Sequence, residues 1–292
     1  MAMLRSLQSG VSGLKGFQTE LDVVGNNIAN VSTTGFKKSR ISFADTMNDT
    51  LAQARSTQNG KQVGLGSKVA AIDNLHTQGV INRTGNPLDL AIDGDSYFAM
   101  KEPNDSGSDS HLFTRDGSFH LDSKGVLVNA DGLHVLGRQR DATTGEIIPP
   151  IGNTILTNTI QLPKAADLQG ENSNKKLVLS SVSVSEDGMI HYQLAGDGQD
   201  YEAGPIVLAH FGNPQGLEKV GQNIYQENAA SAGDYYYLTN PENIIAGALE
   251  GSNVDLTDEM TALIEAQRAY QSNARVITSA DQILQELVQL KR

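Results

Sequence analysis

The C-terminal stretch from Ser252 to Arg292 constrains this chain more than any other. At alternating steps of four and three it reads Leu256, Met260, Leu263, Gln267, Tyr270, Ala274, Ile277, Asp281, Leu284 and Val288. Only an α-helix brings that spacing onto one line, so the pattern is a heptad seam. A second seam runs beside it through Ala262, Ala266, Ala269, Asn273, Val276, Ala280, Ile283, Leu287 and Leu290. At about 100° per residue the two lines lie roughly 100° apart on the helix. One partner helix covers one line, and two lines require at least two partners. Asp255 supplies an N-cap oxygen with Asp258 three residues on, and Asp258 and Glu259 place acid at the positive end of the helix dipole. Lys291 and Arg292 place base at the other end. The helix is expected over 256–290, roughly 50 Å at about 1.5 Å per residue, longer than a small core needs.

The start of the chain repeats the rhythm. Leu4, Leu7, Val11, Leu14, Gln18, Leu21, Gly25 and Ile28 follow steps of three and four, and Met3, Phe17, Val24 and Val31 widen the stripe. A helix is expected over 3–31. It is poor in isolation, because Gly10, Gly13, Gly16 and Gly25 each cost about 1 kcal/mol relative to Ala in a helix interior. Gly10, Gly13 and Gly16, at a spacing of three, form a smooth groove that another backbone can approach closely. The two end helices pair most naturally with each other as a coiled coil, and their order comes with assembly.

Between the ends the period changes. Ser32-Thr33-Thr34-Gly35 is a turn cluster, and Phe36-Lys37-Lys38-Ser39-Arg40 gives three cations in a strand-like run. Those cations form either a solvated face or a contact with an acidic neighbouring subunit. Residues 45–61 are polar without clear periodicity and read as a loop or arm. From about Val69 to Tyr237 apolar residues alternate, punctuated by Asp93-Gly94, Asp116-Gly117, Lys124-Gly125, Asp131-Gly132 and Asp187-Gly188. Leu88 to Ile92 followed by Tyr97 to Met100 reads as a hairpin. The fold class is α+β: paired N- and C-terminal heptad helices, extended connectors and an inserted antiparallel β domain. The expected division is 1–35 with 254–292 as helical domain, 36–80 with 238–253 as connectors, and 81–237 as β domain.

Little in the chain supports chemistry. Without cysteine there is no disulfide, thiolate metal site or Cys nucleophile. A formal charge of −12 disfavours nucleic acid and anionic membranes as partners. No run reaches membrane-spanning length, and no apolar leader opens the chain. His76, His111, His120, His134, His191 and His210 show no metal-ligand spacing, and Gly64-Leu65-Gly66 lacks the rest of a phosphate or dinucleotide loop. No enzymatic activity, cofactor or metal is expected. A binding module using Tyr235-Tyr236-Tyr237 and a hydrolase built from scattered Ser and His are the competing readings. A structural chain assembling through its seams stands first.

Asn26-Asn27-Ile28-Ala29-Asn30-Val31-Ser32-Thr33-Thr34-Gly35-Phe36-Lys37 closely resembles the N-terminal signature of the bacterial flagellar rod and hook family. Ser252-Asn253-Val254-Asp255-Leu256 and Ala266-Gln267-Arg268-Ala269-Tyr270-Gln271-Ser272-Asn273-Ala274 resemble its C-terminal signature. Gly85 to Gly94 and Thr114 to Phe119 add matches in the middle. The resemblance implies a flagellar axial subunit whose terminal helices line the inner tube and whose β domain faces outward. It implies a homopolymer that meets distal rod, hook cap and hook–filament junction proteins. It also implies uncleaved export from the cytoplasm through the flagellar type III machinery, to a final place outside the cell in the basal body and hook. Within the family, Asp255-Leu256, Gln271 to Ala274 and the Leu287 to Arg292 ending lean to the hook, a curved joint that transmits torque. The alternative is the distal rod, a straight drive shaft. The modest length and the 45–61 arm point that way.

Overall fold

The computed structural model describes residues 2–52, 61–103, 111–138, 157–160, 162, 179–194, 200–227, 235–237 and 244–290. The chain divides into two compact units, Met1–Val31 with Lys38–Leu75 and Val254–Arg292, and Ser32–Lys37 with His76–Asn253.

The first unit holds both long helices, α1 (Ala2–Ala29) and α2 (Leu256–Leu290). Asp255 caps α2 as its sequence position requires: its Oδ1 accepts from the Thr257 N–H at 2.8 Å and the Asp258 N–H at 3.3 Å. Those two donors hold the Asp255 carboxyl below the usual carboxylate range. The helices run antiparallel, since Gly10 lies against Ile277, Gly13 against Asn273, and Asn27 bonds Glu259. Beside them Ser39–Asp45 pairs antiparallel with Ser67–Asn74.

The 45–61 arm is not a plain loop. Asn48–Ala52 pairs antiparallel with Lys61–Gly64, with residues 53–60 outside the described residues. Those side chains whose exposure is described, from Asn48 to Thr50 and from Gln62 to Gly64, are mostly open to solvent. A ribbon held by backbone bonds and burying little on either face has no need of the apolar alternation by which strands are recognised.

The second unit is antiparallel β throughout its described strands. Its largest sheet runs Glu218–Gly221, Ile224–Gln226, Leu112–Thr114, Tyr97–Lys101, His134–Arg138, Leu127–Val128 and His120–Leu121, and Leu208–Phe211 also pairs with Tyr97–Lys101. The central strand is buried on both faces: Phe98 and Met100 join one apolar cluster with Leu127, Ile190 and Leu208, and Tyr97 and Ala99 join another with Phe113, Val207 and Phe211. Leu179–Val184, Met189–Leu194 and Asp200–Pro205 form a three-stranded sheet.

The expected hairpin between 88–92 and 97–100 does not form. Leu90–Ile92 pairs with Ile244–Ala246, and Ile81–Arg83 pairs with Ala248–Glu250. Asp93-Gly94 does turn the chain, but a partner some 150 residues away in sequence takes the edge that the local strand would have used. Short-range turn chemistry signals a reversal and leaves the pairing to tertiary packing.

Candidate functional site

The glycines of α1 make its approach to α2 possible. A Cβ on Gly10 would meet the Ile277 side chain at 3.2 Å, and one on Gly13 would stand 2.6 Å from Asn273 Nδ2. Gly16 is likewise buried, against the Phe43 ring, while nothing lies within 4 Å of Gly25. On α2 the buried positions are Glu259, Ala266 and Ala280. Leu263, Asn273, Ile277 and Leu284 are half-buried. These positions fall on a line between the two sequence seams. An apolar margin therefore stays open on each side of the covered line. Leu256, Met260, Ile264, Tyr270 and Val288 are exposed on one margin, Val276 and Ile283 on the other. Val288 keeps 66 % of its surface. On α1, Val11 is exposed and Leu7, Leu14, Leu21 and Ile28 are half-buried. The side chains of Leu4 and Leu287 lie outside the described residues.

Signature residues gather at two polar centres, one in each unit. In the helical unit the Asn27 amide donates to Glu259 Oε2 at 3.1 Å and to the Ser39 carbonyl at 2.9 Å, and its oxygen accepts the Ser39 N–H. Lys38 Nζ reaches Glu259 Oε1 at 3.5 Å. Asn27 thus satisfies a strand start and a buried carboxylate at once, which no apolar residue of its size could do. Asn30 donates to Asn26 one turn back, and Ala29 is exposed.

In the β unit the centre is Glu250, almost without exposure. Its Oε1 accepts from Lys37 Nζ at 2.6 Å and from the Gly79 N–H at 2.8 Å, and its Oε2 accepts from Arg115 Nη1 at 3.3 Å. Lys37 Nζ also donates to the Thr77 carbonyl at 2.7 Å. Burial pushes the Lys37 ammonium pKa down, and Glu250 opposes that shift. Gly35, at φ +65°, donates to the Glu250 carbonyl, and a Cβ there would stand 2.7 Å from the Arg115 backbone. The Asn253 N–H bonds the Phe36 carbonyl, and its amide bonds Thr77. Three stretches, 32–37, 76–79 and 250–253, are thereby tied into one knot. Each adjoins a place where the chain leaves this unit. Next to the knot His76 Nδ1 and the Tyr97 hydroxyl lie 2.6 Å apart, and His76 and Tyr97 each pack edge-on to Tyr225.

Three family models match these regions. The flagella basal body rod protein model covers 7–37, the flagellar hook protein FlgE/F/G D1 domain covers 91–192, and the flagellar basal body rod FlgEFG protein C-terminal model covers 245–290. The flagellar basal-body rod protein FlgG of Bacillus subtilis (strain 168) is 43% identical over 300 residues, taking in 99% of this chain and 100% of that protein. The chain belongs to the flagellar rod and hook family. Borreliella burgdorferi contributes relatives of both kinds. Its rod protein FlgG is 32% identical over 300 residues, covering 99% of this chain and 100% of its own, and its hook protein FlgE is 29% identical over 447, with the same coverage. A crystal structure of Helicobacter pylori flagellar hook protein FlgE2 covers 68% of this chain and 47% of its own at 14% identity, with a TM-score of 0.21, too low to bear on the fold. Rod and hook proteins are structural components of the flagellum and not enzymes.

Several residues of this rod and hook chain sit where sequence reasoning did not put them. Lys37 is neither solvated nor facing a neighbouring subunit: it is buried within its own unit on Glu250, and Lys38 pairs with Glu259. Arg40, exposed and 4.0 Å from Asp73, comes nearest to a solvated cation. Gln267 and Arg268, signature residues on α2, are exposed, as are Asp255 and Asn26. Glu250 escaped notice and Arg115 entered only as part of the Thr114 to Phe119 match, because a single charge inside a short strand or before a turn gives no local sign of burial. The Tyr235–Tyr237 strand pairs with Leu208–Phe211, and its side chains lie outside the described residues. Among the described residues no group of three His, Asp or Glu side chains could hold a metal, and no helix is long and apolar enough to cross a membrane.

Proposed function

We propose that this chain is a rod subunit of the flagellum that assembles with copies of itself through the two apolar margins of α2. The observation that carries the reading is the pair of exposed margins flanking the line covered by α1. A helix pair that finished its own packing would leave at most scattered apolar residues in solvent. Here they recur at helical spacing on both sides, so neighbouring helices supply the missing cover. The terminal helices then form the inner tube, and the β domain faces outward. Uncleaved export through the type III machinery and contacts with adjoining axial proteins would accompany this role.

Rod is preferred to hook because whole-chain relatives named as rod proteins align over nearly the length of this chain. The hook relative needs 447 aligned positions to take in 292 residues, so it carries long internal stretches without counterpart here. The hook reading keeps the support of Gln271 to Ala274 and the Leu287 to Arg292 ending. Electron microscopy of polymers grown from the purified chain separates the two: straight cylinders are expected, and supercoiled tubes would move the assignment to the hook.

Assembly itself is tested by Met260→Asp and Ile283→Asp, one charge on each margin. Each variant should keep the monomer's helicity, with stability changed by no more than about 0.5 kcal/mol as for other surface substitutions, and lose polymerisation. Polymers formed normally by both variants would end the reading.

A further inference from the structure

We propose that Glu20 and Glu265 form a proton-linked lock on assembly: copies join through the Val276 and Ile283 margin of α2 as this carboxylate pair takes up a proton. The proposal rests on the assembly reading above and adds its regulation. Gly13, Glu20 and Asn27 follow one another at intervals of seven, so they share one line of α1. Gly13 lies against Asn273 and Asn27 bonds Glu259, so Glu20, midway between them, stands opposite Ala266 and beside Glu265. Glu259, the buried acid on the same contact, is satisfied by Asn27 and Lys38. Among the described residues Glu20 and Glu265 have neither an ion pair nor a hydrogen bond. Burial, and then the Glu265 charge, push the Glu20 carboxyl pKa up.

Glu265 precedes Ile283 by 18 residues, five whole turns at about 3.6 residues per turn, so the two share the open margin that also carries Val276. Glu265 is exposed and Glu20 half-buried. A neighbouring helix laid on that margin takes water from both carboxylates. Two adjacent carboxylates without a counter-ion do not both stay ionised there, and one shared proton relieves them. No cation of the described residues is placed to do this instead. Arg268 and Arg275 lie roughly 160–180° around α2 from Ala266, and Lys15 and Asp22 roughly 140–160° around α1 from Glu20. Neither margin of α2 carries Lys or Arg, and Asp258, two turns before Glu265, adds a further negative charge. On the strands beside α1, Lys38 is taken by Glu259 and Arg40 is drawn to Asp73. Asp45 and Lys68 lie at the other end of that ribbon, toward Gly66, which packs on Ser12. The assembled state thus binds more protons than the separate chains, and assembly strengthens as pH falls.

The test measures the critical concentration for polymerisation of the full chain by sedimentation, between about pH 7.5 and about pH 5.5 at constant ionic strength. In the parent chain it should fall with pH, by up to about tenfold per unit for one proton per copy. Proton uptake in weakly buffered solution should accompany polymer formation. Glu265→Gln and Glu20→Gln, which keep the shape and remove the charge, should each lower the critical concentration at neutral pH and flatten its slope. Asp22→Asn changes the net charge equally but away from the pair, and should keep the parent's slope. Equal slopes in the parent and both glutamine variants, or equal flattening by Asp22→Asn, would overturn the lock and leave assembly standing. So would weaker assembly of Glu265→Gln at neutral pH, the sign of a neighbour's cation on the pair. No polymer from the parent chain at any pH would overturn the assembly reading as well. Proton uptake by the unaltered protein decides should the variants fail to fold.

Discussion

At the residue scale, the side chains that matter most in the β unit are charged ones at buried positions. Glu250 neutralises Lys37, bonds Arg115 and receives a backbone N–H, so removing it leaves two cations enclosed without a counter-charge. Glu250→Ala should cost about 3–5 kcal/mol of unfolding free energy by urea titration. A loss within the ordinary surface range would show that the cluster is solvated. His76 gives a second, pH-resolved prediction. Burial, and then Lys37, Arg115 and Lys219, push its pKa down from 6.5 to about 4. The unfolded chain takes up that proton near pH 6.5 and the folded chain only near 4, so the unfolded state binds more protons in between. Stability from this group is therefore full above about pH 6.5 and lost as pH falls toward 4, by about 3 kcal/mol. Urea titrations at pH 7 and pH 4.5 should show a smaller drop for His76→Gln than for the parent chain. Equal drops would place the histidine in solvent.

At the element scale, α1 is built from residues that weaken it alone and fit it to α2. Its glycines separate into two kinds by their surroundings. Gly25 faces open space, so Gly25→Ala should add up to about 1 kcal/mol to the monomer by removing backbone freedom from the unfolded chain. At Gly13 the same change drives a Cβ onto the Asn273 amide, and the gain is offset by displacement of that side chain. Larger residues there should part the helices, so Gly13→Val should lower helical ellipticity while Gly25→Ala raises it. Equal effects at the two sites would contradict the antiparallel packing. Much of this was legible beforehand: the helix bounds, the N-cap at Asp255 and the spacing of the three buried glycines all follow from local pattern. Which line of α2 faces α1 was not legible. Both seams are apolar, and the covered line uses the small residues Ala266 and Ala280 together with Leu263 and Ile277.

At the scale of the whole molecule, charge and apolar surface act against each other. Each copy carries a formal −12, so copies repel over distances that salt screens, while in the proposed assembly the margins of α2 would attract only on contact. Raising ionic strength from about 10 mM to about 150 mM shortens the screening length from roughly 30 Å to 8 Å and should speed assembly, read by light scattering. Assembly slowed by salt would mean that pairing of opposite charges drives the contact. The terminal signatures leaned to the hook, and the rod reading proposed above leans instead on the whole-chain relatives named as rod proteins. The difference lies in internal stretches that a hook relative has and this chain lacks, a feature outside the reach of any end motif.

What the sequence determined by itself is whatever a single turn or strand can encode: two long amphipathic helices, a β region between them, glycine turns, and a family signature at each end. Those are local properties, set by periodicity and by backbone freedom over a few residues. Only the tertiary structure decided that Lys37 meets Glu250 across more than two hundred residues, that Asn27 joins a strand to Glu259, and that Leu90–Ile92 takes Ile244–Ala246 as its partner. A charge or an edge strand is paid its cost of burial by a partner distant in the chain, and no local pattern records which partner that is.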